Sequence, residues 1–151
     1  MNVAEVEKIL FNPLFTSKLL LYALCGAKDN KLKLELIYYI LPLLYNEEIK
    51  AKLTKSNSRS SLKTFIDPDI KRELIGIEEL LKNYNKKSKE ALITLANIYP
   101  IELSSSISLK EKIEVQYSQE PDNQLKEFYK AAFNLGNILS KEDYKKIFYS
   151  F

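Results

Sequence analysis

The sequence contains no histidine, a single cysteine and three glycines in 151 residues, and each shortage closes off a class of chemistry. Without histidine the commonest general base and the commonest metal ligand are missing. Neither a Ser-His nor a Cys-His nucleophile can be assembled. Cys25 alone supports no disulfide framework and no cysteine-rich zinc site within the chain. It lies inside the most apolar run, where a free thiol acts as a small hydrophobe, and the reducing cytoplasm is the expected compartment. So few glycines leave no phosphate-cradling loop and no dinucleotide fingerprint. The adjacent carboxylates Glu47-Glu48 and Glu78-Glu79 point in different directions on a helix and are expected to be solvated surface. The residues therefore favour a non-enzymatic protein with no metal and no cofactor.

Charge of one sign is also scarce. With 23 basic and 20 acidic residues the formal net charge is +3, so any basic patch must be local. Apolar residues make up 46% and charged residues 28%, the balance of a globular chain. The length suits one domain, 1–151, with a single core. The start, Met1 to Lys8, lacks the positive n-region and apolar core of a signal peptide. A membrane span needs about 20 consecutive apolar residues, and Lys28, Asp29, Lys31, Lys33 and Glu35 interrupt the candidates too soon.

Two apolar segments, Leu19–Cys25 and Leu36–Leu44, dominate what is present. Neither has a broad polar face, and a helix apolar on nearly all sides must be covered on nearly all sides. They are expected to be the central helices, with Leu20, Leu24, Ile37, Ile40 and Leu44 at the centre of the core. Before them, Val3, Val6, Ile9 and Leu10 have helical spacing. Asn12-Pro13 reads as a cap and first-turn proline for a helix running to about Gly26. The next helix should begin near Leu32 and kink or end at Pro42.

Further on, Asp67-Pro68-Asp69 opens a helix with Ile70, Leu74, Ile77 and Leu81 on one stripe. Ser88 is expected to cap another, stopped by Pro100. The period then changes from helical to alternating. Ile101 and Leu103, followed by Ile113, Val115 and Tyr117, predict a β-hairpin with a Ser-rich tip at Ser104–Ser106. Pro121-Asp122 starts the last long helix, and Ser140-Lys141-Glu142-Asp143 resembles a capping box for a terminal helix with Tyr144, Ile147 and Phe148 inward. The fold class expected is mostly α, a compact helical domain with a small β-hairpin, winged-helix-like.

Two surfaces are candidates for function. Lys50, Lys52, Lys55, Arg59 and Lys63, with serines between them, form the most basic stretch and could contact phosphates; a solvated surface is the plainer reading, because no aromatics are interleaved. The ten tyrosines are the second feature, since tyrosine is enriched where proteins meet. Tyr144, Ile147, Phe148, Tyr149 and Phe151 make the C-terminus more apolar than a free tail needs to be. The helix before the hairpin offers only Lys87, Lys89 and Asn97 for reading bases, a weak recognition surface.

Several short motifs, taken in order, resemble the middle component of the bacterial three-component ABC systems, which include relatives of Lamassu. They are Asn12-Pro13-Leu14-Phe15, Leu41-Pro42-Leu43-Leu44, Ser60-Ser61-Leu62 with Phe65, Ser88-Lys89-Glu90-Ala91-Leu92, and Lys130-Ala131-Ala132-Phe133-Asn134-Leu135-Gly136. The likeness extends from Phe11 to the C-terminus and departs from the family at Lys50 and Lys52. The resemblance implies a small non-enzymatic protein, made beside an SMC- or Rad50-like ABC ATPase and a toxic effector, often a nuclease, and bridging the two in antiphage defence. DNA would then be touched weakly or through the ATPase, and no membrane would be involved. A winged-helix DNA-binding transcriptional regulator remains the alternative.

Overall fold

A computed structural model describes residues 3–143 and 145–147. Helix α1 spans Val3–Leu10, α2 Pro13–Gly26, α3 Leu34–Leu44, α4 Glu47–Thr54, α5 Leu62–Phe65, α6 Pro68–Glu73, α7 Ile77–Ile98 and α8 Asn123–Ser140. The strands are β1 Lys31–Lys33, β2 Ile101–Leu103 and β3 Ser106–Leu109. The molecule is thus mostly helical, with a small antiparallel sheet in the order β1-β3-β2.

Helix α2 begins where its cap chemistry says it should. Asn12 Oδ1 accepts from the Leu14 amide at 2.8 Å, and Pro13 occupies the first turn. Its nearly all-round apolarity is matched by its surroundings, because α3, α7 and α8 all pack on it. The polar residues near its start are satisfied within the helix: Thr16 Oγ1 donates to the Pro13 carbonyl at 3.3 Å and Ser17 Oγ to that of Leu14 at 2.9 Å. Leu20, Leu24, Ile37, Ile40 and Leu44 are each 0% exposed, so the two apolar runs do form the centre.

The α2–α8 crossing depends on two glycines. A Cβ on Gly136 would stand 1.8 Å from the carbonyl oxygen of Ala23, and one on Gly26 would stand 2.0 Å from that of Phe133. The two backbones touch here with no side chain between them. Beside the crossing, Tyr22 and Tyr129 stack with ring centres 4.6 Å apart and planes 8° from parallel.

Several expectations from sequence need correction. Helix α3 starts at Leu34, because Lys31–Lys33 form strand β1, and it ends two residues past Pro42 at Leu44. The stripe Ile70, Leu74, Ile77 and Leu81 belongs to two helices, broken at Gly76, whose φ of 83° lies in the left-handed region that glycine tolerates. Ser88 is not a cap. It sits buried in the middle of the 22-residue α7, a small residue on the buried side of the helix that packs on α2 and α3. The hairpin is tighter than expected, since β2 pairs with β3 and not with 113–117. Leu103 lies opposite Ile107 in that register, and β3 is the central strand with both ladders already taken by β1 and β2. Ile113, Val115 and Tyr117 do alternate half-buried with exposed neighbours, but as an extended segment laid on the helices. Cys25 Sγ lies 3.5 Å from the Ile113 carbonyl, and Tyr117 meets Phe133 edge-on at 5.8 Å.

At the far end, Ser140 closes α8 and opens no new helix. Its hydroxyl donates to the Asn137 carbonyl at 3.1 Å and accepts from the Lys28 amide at 2.8 Å. Asp143 Oδ1 instead accepts from the Lys145 amide at 2.8 Å, the geometry of a helix cap.

Candidate interaction surfaces

The basic stretch begins on α4, which Asn46 caps by accepting from the Ile49 amide at 3.0 Å. The helix turns Lys50 inward. Its ammonium sits 4.0 Å above the Phe128 ring and 3.5 Å from a Glu47 carboxylate oxygen, and the residue is 8% exposed. Lys52 pairs with Asp67 at 2.9 Å. The Asp67 carboxyl is held below the usual aspartate range, first by the Ile70 amide that it caps and then by Lys52. Two of the five sequence candidates are therefore engaged inside the protein. Lys55, Arg59 and Lys63 are exposed, and none has a carboxylate partner among the described residues.

The loop carrying them is held firmly. Asn134, buried on α8, donates to the carbonyls of Leu53 at 2.8 Å and Ser56 at 3.0 Å, which covers carbonyl groups at the C-terminal end of α4. Asn137 reaches those of Asn57 and Ser58, each at 3.4 Å, and Lys141 reaches those of Ser58 and Ser60. Ser61 and Thr64 then form a reciprocal capping box at the start of α5. Lys55, Arg59 and Lys63 remain exposed to solvent beside this fastened backbone.

Tyrosine serves the interior more than sequence alone implies. Tyr22, Tyr39 and Tyr129 are buried, and burial pushes the Tyr129 phenol up to about 12. Tyr45 donates to the Leu10 carbonyl and packs on Phe11, Tyr84 and Phe128, with ring centres 5.5–5.7 Å apart. Its phenol is raised further, again by burial. Of the C-terminal candidates Ile147 is fully buried, while Tyr144, Phe148, Tyr149 and Phe151 lie outside the described residues.

Sequence reasoning missed a different apolar surface. Ile93 and Ile98 on α7 and Leu103 on β2 are 63%, 50% and 56% exposed. A sequence signal did exist, because Ile93 lies off the stripe of Leu92, Leu95, Ala96 and Tyr99. No group of three or more His, Cys, Asp or Glu side chains among the described residues is placed to hold a metal ion. Burial raises the Cys25 thiol to about 11, so near neutrality it is the unreactive thiol form. No helix among the described residues is long and apolar enough to cross a membrane.

These features define a small helical protein with a minor sheet, a basic loop hydrogen-bonded to α8 and exposed apolar side chains on α7 and β2. The profile of the family described as ABC-three component (ABC-3C) system Middle Component 3 matches residues 1–151, and the chain belongs to that family. It is a middle component of a three-component ABC system, in partnership with the system's other components. No curated protein and no solved structure matches it.

Proposed function

We propose that the chain is the non-enzymatic adaptor of a Lamassu-like antiphage complex, joining an SMC- or Rad50-like ABC ATPase to an effector, often a nuclease. The observation that carries this reading is the family match over the whole of 1–151, a family of middle components rather than catalysts. Ile93, Ile98 and Leu103 support it, since large apolar side chains exposed on α7 and β2 are what a partner would cover. Tyr144, Phe148, Tyr149 and Phe151 are the second proposed anchor, as aromatic residues carry a disproportionate share of interface energy. Work at this site is done by surface complementarity, with no bond made or broken by the chain itself.

Copurification from the intact operon tests the proposal. An Ile93→Asp/Leu103→Asp variant, or a chain ending after Ile147, is expected to lose the ATPase or the effector and to lose defence, with the melting temperature of the isolated chain unchanged. Retention of both partners and full defence in the two variants together would overturn it. So would nucleotide or nucleic-acid hydrolysis that survives repurification and disappears on one Asp or Glu substitution.

A DNA-binding regulator is the second reading, favoured by one observation. The order α2, β1, α3, α7, β2, β3, with β3 central and α4–α6 inserted, is the order of elements in a winged helix. The exposed part of α7 that would enter a groove carries Lys89 and Asn97 but also Ile93 and Ile98, a better match to protein than to bases. Nanomolar binding of one specific duplex by the isolated chain in physiological salt would favour this second reading.

A further inference from the structure

The two stretches that meet along α4 and α8 contain no acidic residue. From Ile49 to Ile66 the ionisable side chains are Lys50, Lys52, Lys55, Arg59 and Lys63, and from Phe128 to Lys141 the charged ones are Lys130 and Lys141. In a chain with 20 acidic residues and a net charge of +3, such a gap concentrates positive potential on one side of the molecule. The structure removes Lys50 and Lys52 from the free set, because Glu47 and Asp67 hold them. It adds Lys130, which shares a helical stripe with Asn134, Asn137 and Lys141, at intervals of four, three and four residues along α8.

We propose that Lys55, Arg59, Lys63 and Lys130 form a contact surface for the phosphate backbone of double-stranded nucleic acid. This inference does not depend on the adaptor reading. Four features of the face favour a duplex backbone over other polyanions. The loop is fixed by side chains of α8 and by its own turn, with the Asn57 amide donating to Ser60 Oγ at 3.0 Å and the Arg59 amide to Asn57 Oδ1 at 2.8 Å, so binding need not order it. Lysine and arginine stand beside exposed Asn57, Ser58 and Thr64, the mixture of groups that meets phosphate oxygens. No aromatic residue occurs from Asn46 to Thr64, so the base stacking that holds single strands is missing. The rise of α8 places Lys130 and Lys141 roughly 16 Å apart along its axis, and a duplex carries one charge per about 1.7 Å of axis, so several phosphates would lie within reach.

The test is fluorescence anisotropy of the purified full chain with labelled 30-base-pair duplexes of two unrelated sequences, from 25 to 200 mM salt. The first variant carries Lys55→Gln, Arg59→Gln, Lys63→Gln and Lys130→Gln. The control carries Lys82→Gln, Lys86→Gln, Lys110→Gln and Lys112→Gln, which lowers the charge equally elsewhere on the exposed surface. The proposal expects weak, sequence-independent binding, lost at least about tenfold at low salt in the first variant and retained in the control. The salt slope should fall by about 3–4, near 0.9 for each phosphate contact removed. Unchanged thermal melting separates this from unfolding. Equal losses in both variants would mean general attraction and overturn the proposal. So would an unchanged affinity in the first variant, or a first variant that keeps duplex binding but loses a copurifying acidic protein.

Discussion

Helix α8 has two sides that are fastened in opposite ways. Toward α2 it is held by contact alone, with Gly136 on the Ala23 carbonyl and Tyr129 stacked on Tyr22. Toward the loop after α4 it is held by donated hydrogen bonds from Asn134, Asn137 and Lys141 to backbone carbonyls. The first side has no room for an added atom at Gly136, while the second depends on how many of its donors are kept. The difference shows how one helix both completes a core and fixes a polar surface segment. Dispersion and burial act everywhere along the dry side, whereas on the wet side a few directed bonds do the positioning.

The largest expected effect breaks the dry side. Gly136→Ala adds a carbon that would overlap a backbone carbonyl, and neither helix backbone can move aside cheaply. A loss of about 3 kcal/mol or more is expected in denaturant melts, at or beyond the upper end of ordinary overpacking. A loss under about 1 kcal/mol would mean the helices are not in backbone contact.

Asn134→Ala breaks the wet side. The Leu53 and Ser56 carbonyls lose this donor, Leu53 keeping only amide partners such as that of Ser56 at 3.1 Å, and about 1–3 kcal/mol should be lost. Hydrogen exchange should rise in the loop 55–61 while α2 stays protected. If protection falls equally in both places, the two sides are one cooperative unit and the contrast fails.

Lys141→Met sharpens the comparison with a smaller change. Its ammonium reaches two carbonyls from an exposed position, so the cost should stay under about 1 kcal/mol, as for other exposed charged contacts. Its effect should add to that of a distant surface substitution and fall short of additivity with Asn137→Ala.

A pH scan distinguishes the two sides in another way. Tyr22 and Tyr129 beside the dry crossing, and Cys25 within α2, have acidities weakened by burial, and the Cys25 thiol is raised from 9.0 to about 11. The native state holds these protons more tightly than the unfolded state does. The stability they contribute is intact below pH 9 and falls from about pH 9 upward, through the thiol's range and then the phenols'. A shallow alkaline decline in melting temperature is expected, reduced at its start in Cys25→Ala. Exchange in the loop, corrected for intrinsic rate, is expected to lag behind exchange at the dry crossing during this decline.

Much of the helical framework was legible because caps and breakers act locally. Asn12-Pro13, Asp67-Pro68, Pro100 and Asp122 set helix ends through their own side chains and rings, and the structure has helix boundaries at each. The two apolar runs in α2 and α3 likewise named most of their buried residues, since an all-apolar helix has only one place to go. The site was less legible. Five basic residues in one stretch look equivalent in sequence, yet the turn of α4 sends Lys50 onto Phe128 and Lys52 onto Asp67, and leaves the later three exposed.

Composition by itself determined that this protein has no histidine-based or cysteine-rich chemistry, and local patterning determined where most helices begin and end. Tertiary structure alone decided which strand β2 would pair with, because register depends on which edges remain free and β3 accepts partners on both sides. It also decided that Ser88 would lie buried inside a helix, where its hydroxyl has no hydrogen-bond partner among the described residues. Above all it decided the meaning of Gly26 and Gly136, 110 positions apart in sequence. Neither needs an unusual backbone angle, and their smallness matters only because another helix passes within touching distance.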